Sequence, residues 1–510
     1  MKNDINKLTK LSICDNLTIK EKNMEQMQNL SSEVDVRRAK IENLRAMGEI
    51  PYKAKFERTC TIAEAREKIG QRVKVAGRVV FKRVMGKFGF MQIRDIFSKI
   101  QISVGRNELN EEDYDFYKKM VDIADFVGVE GEVYTTQTGE VTVKAEKVTL
   151  LSKTLRPLPE KFHGLTDTET KYRQRYLDLV MNEDARAVFI ARSKVVSFIR
   201  RFLEDNGFVE VETPILQTNV SGASAKPFYT HHNALDMECN LRIAKETWLK
   251  QCIGAGFDRV FELGKDFRNE GMDTTHLQEF TQVEWYASYW DFEDNIVFFQ
   301  KFLKGLMKEC FGKLQITYQG NVIDFEKEWK RIDYVAEMRK LLGFDFLAED
   351  DVNAFKDKVV KAKLFSMGEL EPYNSVRALI DFIYKRKIRE NIVGPVILYN
   401  YPAVLKPLAR RNDADPRIVD AFQVVVCGAE LLNAYSELVD PVAQRETLES
   451  QMRDKMGGDD EAMDLDEDFL LAMEHGMPPI SGLGFGIDRF IMTVFDLANI
   501  RDSVLFPLMK

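Results

Sequence analysis

Three short runs in this 510-residue chain space their reactive side chains two apart, the repeat of one β-strand face. Residues 259–289, RVFELGKDFRNEGMDTTHLQEFTQVEWYASY, read as strand, loop, strand. Arg268 and Glu270 are expected on one face of the first strand. Phe280, Glu284 and Tyr286 are expected on one face of the second, with Val283, Trp285 and Ala287 on the opposite, apolar face. In ELLNAYSE at 430–437, Asn433, Tyr435 and Glu437 again share a face. If these strands belong to one sheet, its surface gathers a guanidinium, several carboxylates, tyrosines and an aromatic plane, a polar binding surface of mixed charge. Taken singly, each residue has a plainer reading: a strand Glu is usually solvated, and Phe280 is more often core.

Other chemistries drop out. Gly86-Lys87 is followed by Phe88 and Gly264-Lys265 by Asp266, so no G-x-x-x-x-G-K-[ST] loop is present. Gly482, Gly484 and Gly486 fall short of the dinucleotide fingerprint, because 487 and 489 are Ile and Arg. Neither H-E-x-x-H nor G-x-S-x-G occurs. Six cysteines at 14, 60, 239, 252, 310 and 427 form no C-x-x-C pair, which argues against a zinc site and fits a reducing compartment. With 45% hydrophobic and 30% charged residues, no long apolar run and no apolar core in MKNDINKLTK, the reading is cytoplasmic, with no membrane partner.

The elements around these runs suggest several folding units. Residues 1–32 are polar and read as a floppy tail. Residues 33–68 form a helical segment whose basic face, Arg37, Arg38 and Lys40, reads as solvated. Residues 69–152 hold five short β-rich runs with a helix after the third, the pattern of an OB-type barrel. Its basic, aromatic face would carry Lys82, Arg83, Lys87, Phe88 and Phe90, side chains suited to single-stranded nucleic acid. Net charge is -8, but residues 51–100 hold thirteen Lys/Arg against four Asp/Glu, so a local nucleic-acid surface survives the acidic total. Residues 153–180 read as a linker. From 181 to 510 strands and helices mix without regular alternation, which predicts α+β. Val188, Ala191, Val195, Phe198 and Phe202 mark a long helix, FVEVETPIL a following strand, about 330–390 a helical insertion, and GGDDEAMDLDED at 457–468 a solvated acidic loop.

FRNEG followed by H-x-x-E-F-T resembles motif 2 of the class II aminoacyl-tRNA synthetases. GLGFGIDR resembles their motif 3, and the helix and strand ending GFVEVETP their motif 1. RPLPEKFHGLTDTETKYRQRYLDL, SGASAKPFYTHHNALDMECNLRIAKE, PLARRND, the Asn-x-Tyr-Ser-Glu-Leu run and GDDEAM through AMEHGMPP narrow this to the bacterial-type, subclass IIb lysyl-tRNA synthetases, over about residues 35–510. The resemblance implies an OB barrel for the anticodon, followed by a catalytic domain built on an antiparallel sheet flanked by helices. It implies activation of L-lysine with ATP to lysyl-adenylate, transfer to the 3′ end of tRNA(Lys), Mg2+ with ATP, and a homodimer through motif 1.

By the same resemblance Arg268 and Arg489 are catalytic. Arg268 meets the α-phosphate and the substrate carboxylate; Glu270, His276, Phe280, Glu430 and Arg489 bind ATP. Glu284, Tyr286 and Glu437 match contacts to the ε-ammonium, Glu246 and Gly222 to the α-amino end, and Asn433 and Tyr435 the wall. Arg83, Phe90, Gln101 and Glu140 match positions that read the anticodon. Glu430 matches a metal ligand, while Gln423 stands where the family usually has glutamate. Leu277-Gln278 also departs from the usual Asn-Pro. Three rivals stay open: an asparaginyl- or aspartyl-type synthetase, towards which His-Leu-x-Glu-Phe leans but against which Glu284 and Glu437 argue on charge; a non-catalytic RNA-binding paralogue; and a paralogue that lysylates protein.

Overall fold

A computed structural model describes residues 32–159, 165, 167–456 and 463–510. The expected tail, save residue 32, and residues 457–462 of the acidic loop lie outside the described residues. The chain divides into two units, one running to Met181 and one spanning Asn182–Lys510.

The first unit contains a closed five-stranded barrel. Its strands are Arg72–Met85, Phe88–Arg94, Lys99–Gly105, Phe126–Thr135 and Val141–Ser152, paired in spatial order first, second, third, fifth, fourth. Alternate side chains such as Val73, Val75, Met91, Ile93, Ile100, Ile102, Val129 and Val143 fill the interior. Helix Glu111–Met120 follows the third strand, as its sequence predicts, with Asn110 as N-cap.

Three basic residues depart from expectation; one is Lys40, which is not solvated but pairs with Asp122 at 2.7 Å. Arg37 is not on a solvated face: its guanidinium donates to the carbonyls of Ile123 at 3.2 Å and Thr154 at 3.3 Å and pairs with Glu33 at 2.8 Å. Lys82 is not offered to a ligand either. Its ammonium donates to the carbonyls of Tyr117 at 2.9 Å, Lys118 at 3.0 Å and Val121 at 2.5 Å, closing the negative end of helix Glu111–Met120. Burial brings Lys82 down to about 8. The segment expected as a linker contains helices Thr168–Arg173 and Arg175–Met181, with a buried Arg175–Asp178 pair at 2.7 Å.

The second unit is organised by an eight-stranded sheet. In spatial order its strands are Lys330–Asp333, Val396–Pro402, Ile418–Val426, Ala429–Ser436, Ile480–Gly486, Glu279–Ser288, Arg259–Phe267 and Val209–Glu210. The six central strands are antiparallel to their neighbours, and only the two outermost pairings are parallel. Of FVEVETPIL, only Val209–Glu210 joins this sheet; Leu216–Gln217 pairs in a separate three-stranded one, because Pro214 lacks the donor a continuing strand needs.

One face of the sheet is apolar and packs on helices Glu183–Asp205 and Phe292–Phe311. Trp285 anchors that side: its ring lies 5.5 Å from Phe302 and its N–H donates to Asn295 Oδ1 at 2.9 Å. The expected insertion consists of helices Tyr334–Leu342, Val352–Lys361, Met367–Leu370 and Val376–Lys387, with a core of Tyr334, Phe346, Phe355, Leu379 and Ile383. The opposite, polar face of the sheet is left to hold a cleft.

Candidate active site and nucleic-acid face

Strand register brings the expected residues onto that polar face. Gln423 pairs with Asn433, Asn433 with Gly484, and Gly484 with Glu284 in one row across four strands. Tyr435, Gly482 and Tyr286 form the next row. The two glycines are the floor between larger side chains. At Gly482 a Cβ would lie 2.2 Å from the Tyr286 ring and 2.3 Å from Glu437 Oε1, so only glycine lets that ring and carboxylate approach. Gly222 has φ of +85°, and a Cβ there would press on Ala244 at 3.2 Å and Glu246 at 3.4 Å.

A single cavity of about 410 Å³ collects Gly222, Glu246, Arg268, Glu270, His276, Phe280, Glu284, Tyr286, Gln423, Glu430, Asn433, Tyr435, Glu437 and Arg489. All the expected catalytic-domain site residues therefore line one cleft. The strand positions assigned to Arg268 and Glu270 are corrected. The first strand ends at Phe267, and both residues begin the loop 268–278. Arg268 N–H donates to Gln278 C=O at 2.8 Å, which turns its side chain back over the Phe280 ring, 5.2 Å from the centroid. The Leu277-Gln278 departure has a local function: the Gln278 amide donates to the carbonyls of Glu270 and Gly271, both at 3.2 Å, and clamps the loop. Glu270 itself is exposed.

The deep end of the cleft is acidic. Lys250, one turn along helix Glu246–Gly254, buries its ammonium 2.7 Å from Glu246 Oε1 and 2.5 Å from Glu437 Oε2. Burial alone would discharge that lysine, but the two carboxylates hold it above the ordinary lysine range. Tyr435 donates to the other oxygen of Glu246 at 2.5 Å. Glu437 Oε1 is buried and, among the described residues, has no hydrogen-bond partner. Tyr286 donates weakly to Glu284 at 3.5 Å, and the Gln282 amide donates to the other Glu284 oxygen. Burial pushes Glu284 up to about 7 and Glu437 well above its usual range. Deeper charges balance locally: Lys245 pairs with Asp266 at 2.5 Å and Arg242 with Glu262 at 2.6 Å. Glu246 and Glu437 thus share one buried ammonium, with Glu284 buried nearby.

The outer end is cationic and more open. Arg489 donates to the Glu430 carbonyl at 2.8 Å and meets His276 Nε2 at 3.4 Å, while His276 Nδ1 meets Asp273 at 2.7 Å. Although partial burial opposes it, the N–H of Thr275 and the His276 ring hold Asp273 down to about 2. Glu430 accepts from Arg389 at 2.8 Å on Oε1 and from the Gln423 amide at 3.1 Å on Oε2. Two of a carboxylate's roughly four acceptor positions are then used. The remainder fits a divalent cation that also takes phosphate oxygens, the usual manner of Mg2+. A site preloaded by the protein does not fit: Gln423 is neutral, and among the described residues no cluster of three His, Cys, Asp or Glu could hold a metal.

On the barrel, Arg83, Phe90 and Ser103 form one cross-strand row, and Phe81, Gln92, Gln101 and Thr142 another. Gln101 donates to Thr142 at 3.0 Å. Phe88 stands edge-on to Phe90 at 4.9 Å, and Phe81, Met85 and Phe88 are exposed beside Arg83. Glu140, just before the fifth strand, pairs with Arg66 at 3.3 Å. Sequence reasoning overlooked Phe81 on this face, Gln282, Gly482 and Lys406 in the cleft, and Lys250 and Arg389, which pair with the cleft carboxylates Glu437 and Glu430. Lys250 had a signal, its i,i+4 spacing from Glu246, but that spacing is also the commonest surface pair of a helix.

Residues 167–510 match the family model of class II tRNA synthetases (D, K and N), and residues 73–151 match the OB-fold nucleic acid binding domain. The lysine–tRNA ligase of Lactococcus lactis subsp. cremoris strain MG1363 is 43% identical over 498 residues, 96% of this chain and all of that protein. The lysine–tRNA ligase of Carboxydothermus hydrogenoformans is 43% identical over 488 residues, and that of Staphylococcus epidermidis strain RP62A 40% over 496, each covering 95% of this chain and 99% of the relative.

Proposed function

We propose, from the premise that this chain belongs to the class II tRNA synthetases and among them to the lysine–tRNA ligases, that its acidic cavity seats L-lysine beside ATP. As an enzyme of that family it joins lysine to tRNA: lysine and ATP give lysyl-adenylate and pyrophosphate, and the lysyl group then passes to the 3′ end of tRNA(Lys) with release of AMP. The observation that carries the pocket reading is the unpartnered, buried oxygen of Glu437, which with Glu246 faces the one ammonium of Lys250, while buried Glu284 beside them accepts, among the described residues, only from Gln282 and Tyr286. Once all three carboxyls are ionised, three negative charges against one positive leave two. Lysine brings two ammonium groups to meet them and one carboxylate for Arg268, so the occupied pocket is neutral.

The chemistry of the first step follows from position. The substrate carboxylate is already ionised, so its attack on the α-phosphorus needs no general base. Catalysis rests on alignment and on charge held at phosphorus. Arg268, cantilevered from the loop over Phe280, suits a bidentate contact spanning carboxylate and phosphate. Adenine stacks between Phe280 and Arg489, with Glu270 and His276 along its edge and phosphates. Mg2+, carried in on ATP and held in part by Glu430, would screen the phosphate charge when bound. Glu284, Tyr286 and Glu437 take the ε-ammonium, Glu246 and Gly222 the α-amino group, and Asn433 and Tyr435 close the wall.

On the barrel, half-buried Phe90 offers a stacking plane for an anticodon base, with Arg83, Gln101 and Glu140 for its edge and backbone. The proposal includes a homodimer through helix Glu183–Asp205 and a cytoplasmic setting; among the described residues no helix is long and apolar enough to cross a membrane. ATP–pyrophosphate exchange, run over the twenty amino acids with and without tRNA, tests the pocket. Exchange with lysine alone is expected; exchange driven by a neutral or acidic amino acid would remove the charge argument.

A further inference from the structure

Beyond its outer end the cleft opens into a second chamber of about 920 Å³. Arg377, Lys385, Arg389, Lys406, Arg453 and Arg489 line this chamber, against the carboxylates of Asp381 and Glu430. Lys406, Gln423, Glu430 and Arg489 line both chambers and so mark the neck between them. Lys406 follows the one-turn helix Ala403–Leu405, which fixes its backbone. Its ammonium donates to Asn433 Oδ1 at 2.6 Å and stands 5.1 Å from the centre of the Tyr401 ring. Tyr401 in turn donates to Gln423 at 2.5 Å. Among the described residues the Lys406 ammonium forms no ion pair. A half-buried cation held in place without a carboxylate is a charge in want of an anion.

We propose that Lys406 is a fixed cation for the phosphates of ATP, supplying at the neck part of the positive charge that Gln423 withholds from a metal site. This rests on the nucleotide reading of the outer end. A carboxylate at 423 would stand beside Glu430 and attract a hard cation. The amide instead donates to Glu430 at 3.1 Å, and Arg389 takes the other oxygen at 2.8 Å. Glu430 therefore serves as a brace between two donors, and Lys406 faces the neck above it. Asn433 holds the ammonium where the amino-acid end meets the nucleotide end, so the charge is already in place when the phosphates arrive.

The test is ATP binding by titration calorimetry, in EDTA and in Mg2+, for the full chain and its Lys406→Met, Lys406→Arg and Gln423→Glu variants. Lys406→Met is expected to weaken ATP about tenfold in EDTA, and less in Mg2+, with lysine affinity within about twofold; Lys406→Arg recovers most of the loss. Unchanged ATP affinity in EDTA overturns the proposal. So does an equal loss of lysine and ATP, which would make Lys406 only a prop for Asn433. Gln423→Glu keeps the question open to test even if Lys406→Met fails to fold. With ATP present it should tighten Mn2+, read by paramagnetic resonance, about fivefold or more; unchanged Mn2+ affinity refutes the exchange of roles. Arg489→Ala separates the premise: if it leaves ATP binding untouched, the nucleotide reading fails, whatever Lys406 does.

Discussion

The two ends of the cleft recognise charge by opposite means. At the amino-acid end, groups are buried, fixed on strands and one helix, and short of a partner. Glu437 keeps an unsatisfied oxygen, Glu284 is held near 7, and Lys250 serves two carboxylates. At the nucleotide end, groups lie on a loop or near solvent and satisfy one another: Asp273 with His276, His276 with Arg489, Glu430 with Arg389. The first end is preformed and stores a desolvation cost that only a cation relieves. The second must exchange internal partners for ligand. Selectivity should therefore reside at the rigid end and adaptability at the other.

The largest effect should follow from neutralising the unsatisfied carboxylate. Glu437→Gln removes charge from the ε-ammonium contact and leaves Lys250 with Glu246 alone. The lysine KM should rise more than tenfold, about 1.4 kcal/mol or more, while the ATP KM changes little. Initial rates of pyrophosphate exchange with each substrate varied in turn measure both. A lysine KM that stays put would show that the acidic end is not the lysine seat.

Titration sharpens the contrast without mutation. Glu284 sits near 7 in the empty pocket because burial disfavours its charge, and an incoming ammonium needs it ionised. Lysine affinity should fall roughly tenfold between pH 8 and pH 6, and ATP affinity should not follow it. Linkage gives a second readout. A carboxyl raised from about 4.5 to about 7 stabilises the empty fold below the lower value, and that stability is lost as pH rises through the upper one. Saturating lysine should weaken this dependence of melting temperature on pH. A flat lysine affinity across the range would mean Glu284 is not a contact.

How much of this was readable beforehand differs between the two ends in the same way. Period-two spacing placed Glu284, Tyr286, Asn433, Tyr435 and Glu437 on one surface, because strand faces are local geometry. The OB barrel and the sheet came from the same periodicity together with the resemblance. Arg268 and Glu270 were misplaced on a strand, since nothing local says that pairing stops at Phe267. Lys250, Lys82 and Arg37 were illegible for a common reason: a cation on a helix or strand face looks the same whether it meets water, a carboxylate or a helix end. What decides is a neighbour distant in sequence, such as Glu437 for Lys250 or the carbonyls at 117–121 for Lys82. Gly482 belongs to the same class, because its need arises from Tyr286 and Glu437 across the sheet.

Loop 268–278 offers the finest test of the comparison. Gln278 ties the carbonyls of Glu270 and Gly271 to the start of the second strand through one exposed amide. Exposed hydrogen bonds of this kind are worth about 0.5–1 kcal/mol each at most, since water replaces them. Gln278→Ala should therefore loosen the loop rather than unfold it. The ATP KM should rise about threefold, because Glu270 and His276 lose their fixed positions. The lysine KM should change by less than about twofold, since Glu246, Glu284 and Glu437 lie on other elements. Amide exchange across 268–278 should quicken in the free variant and slow again when ATP binds. Equal shifts in both KM values would mean that the loop braces the acidic end as well, and the division between a rigid and an adaptable end would fail.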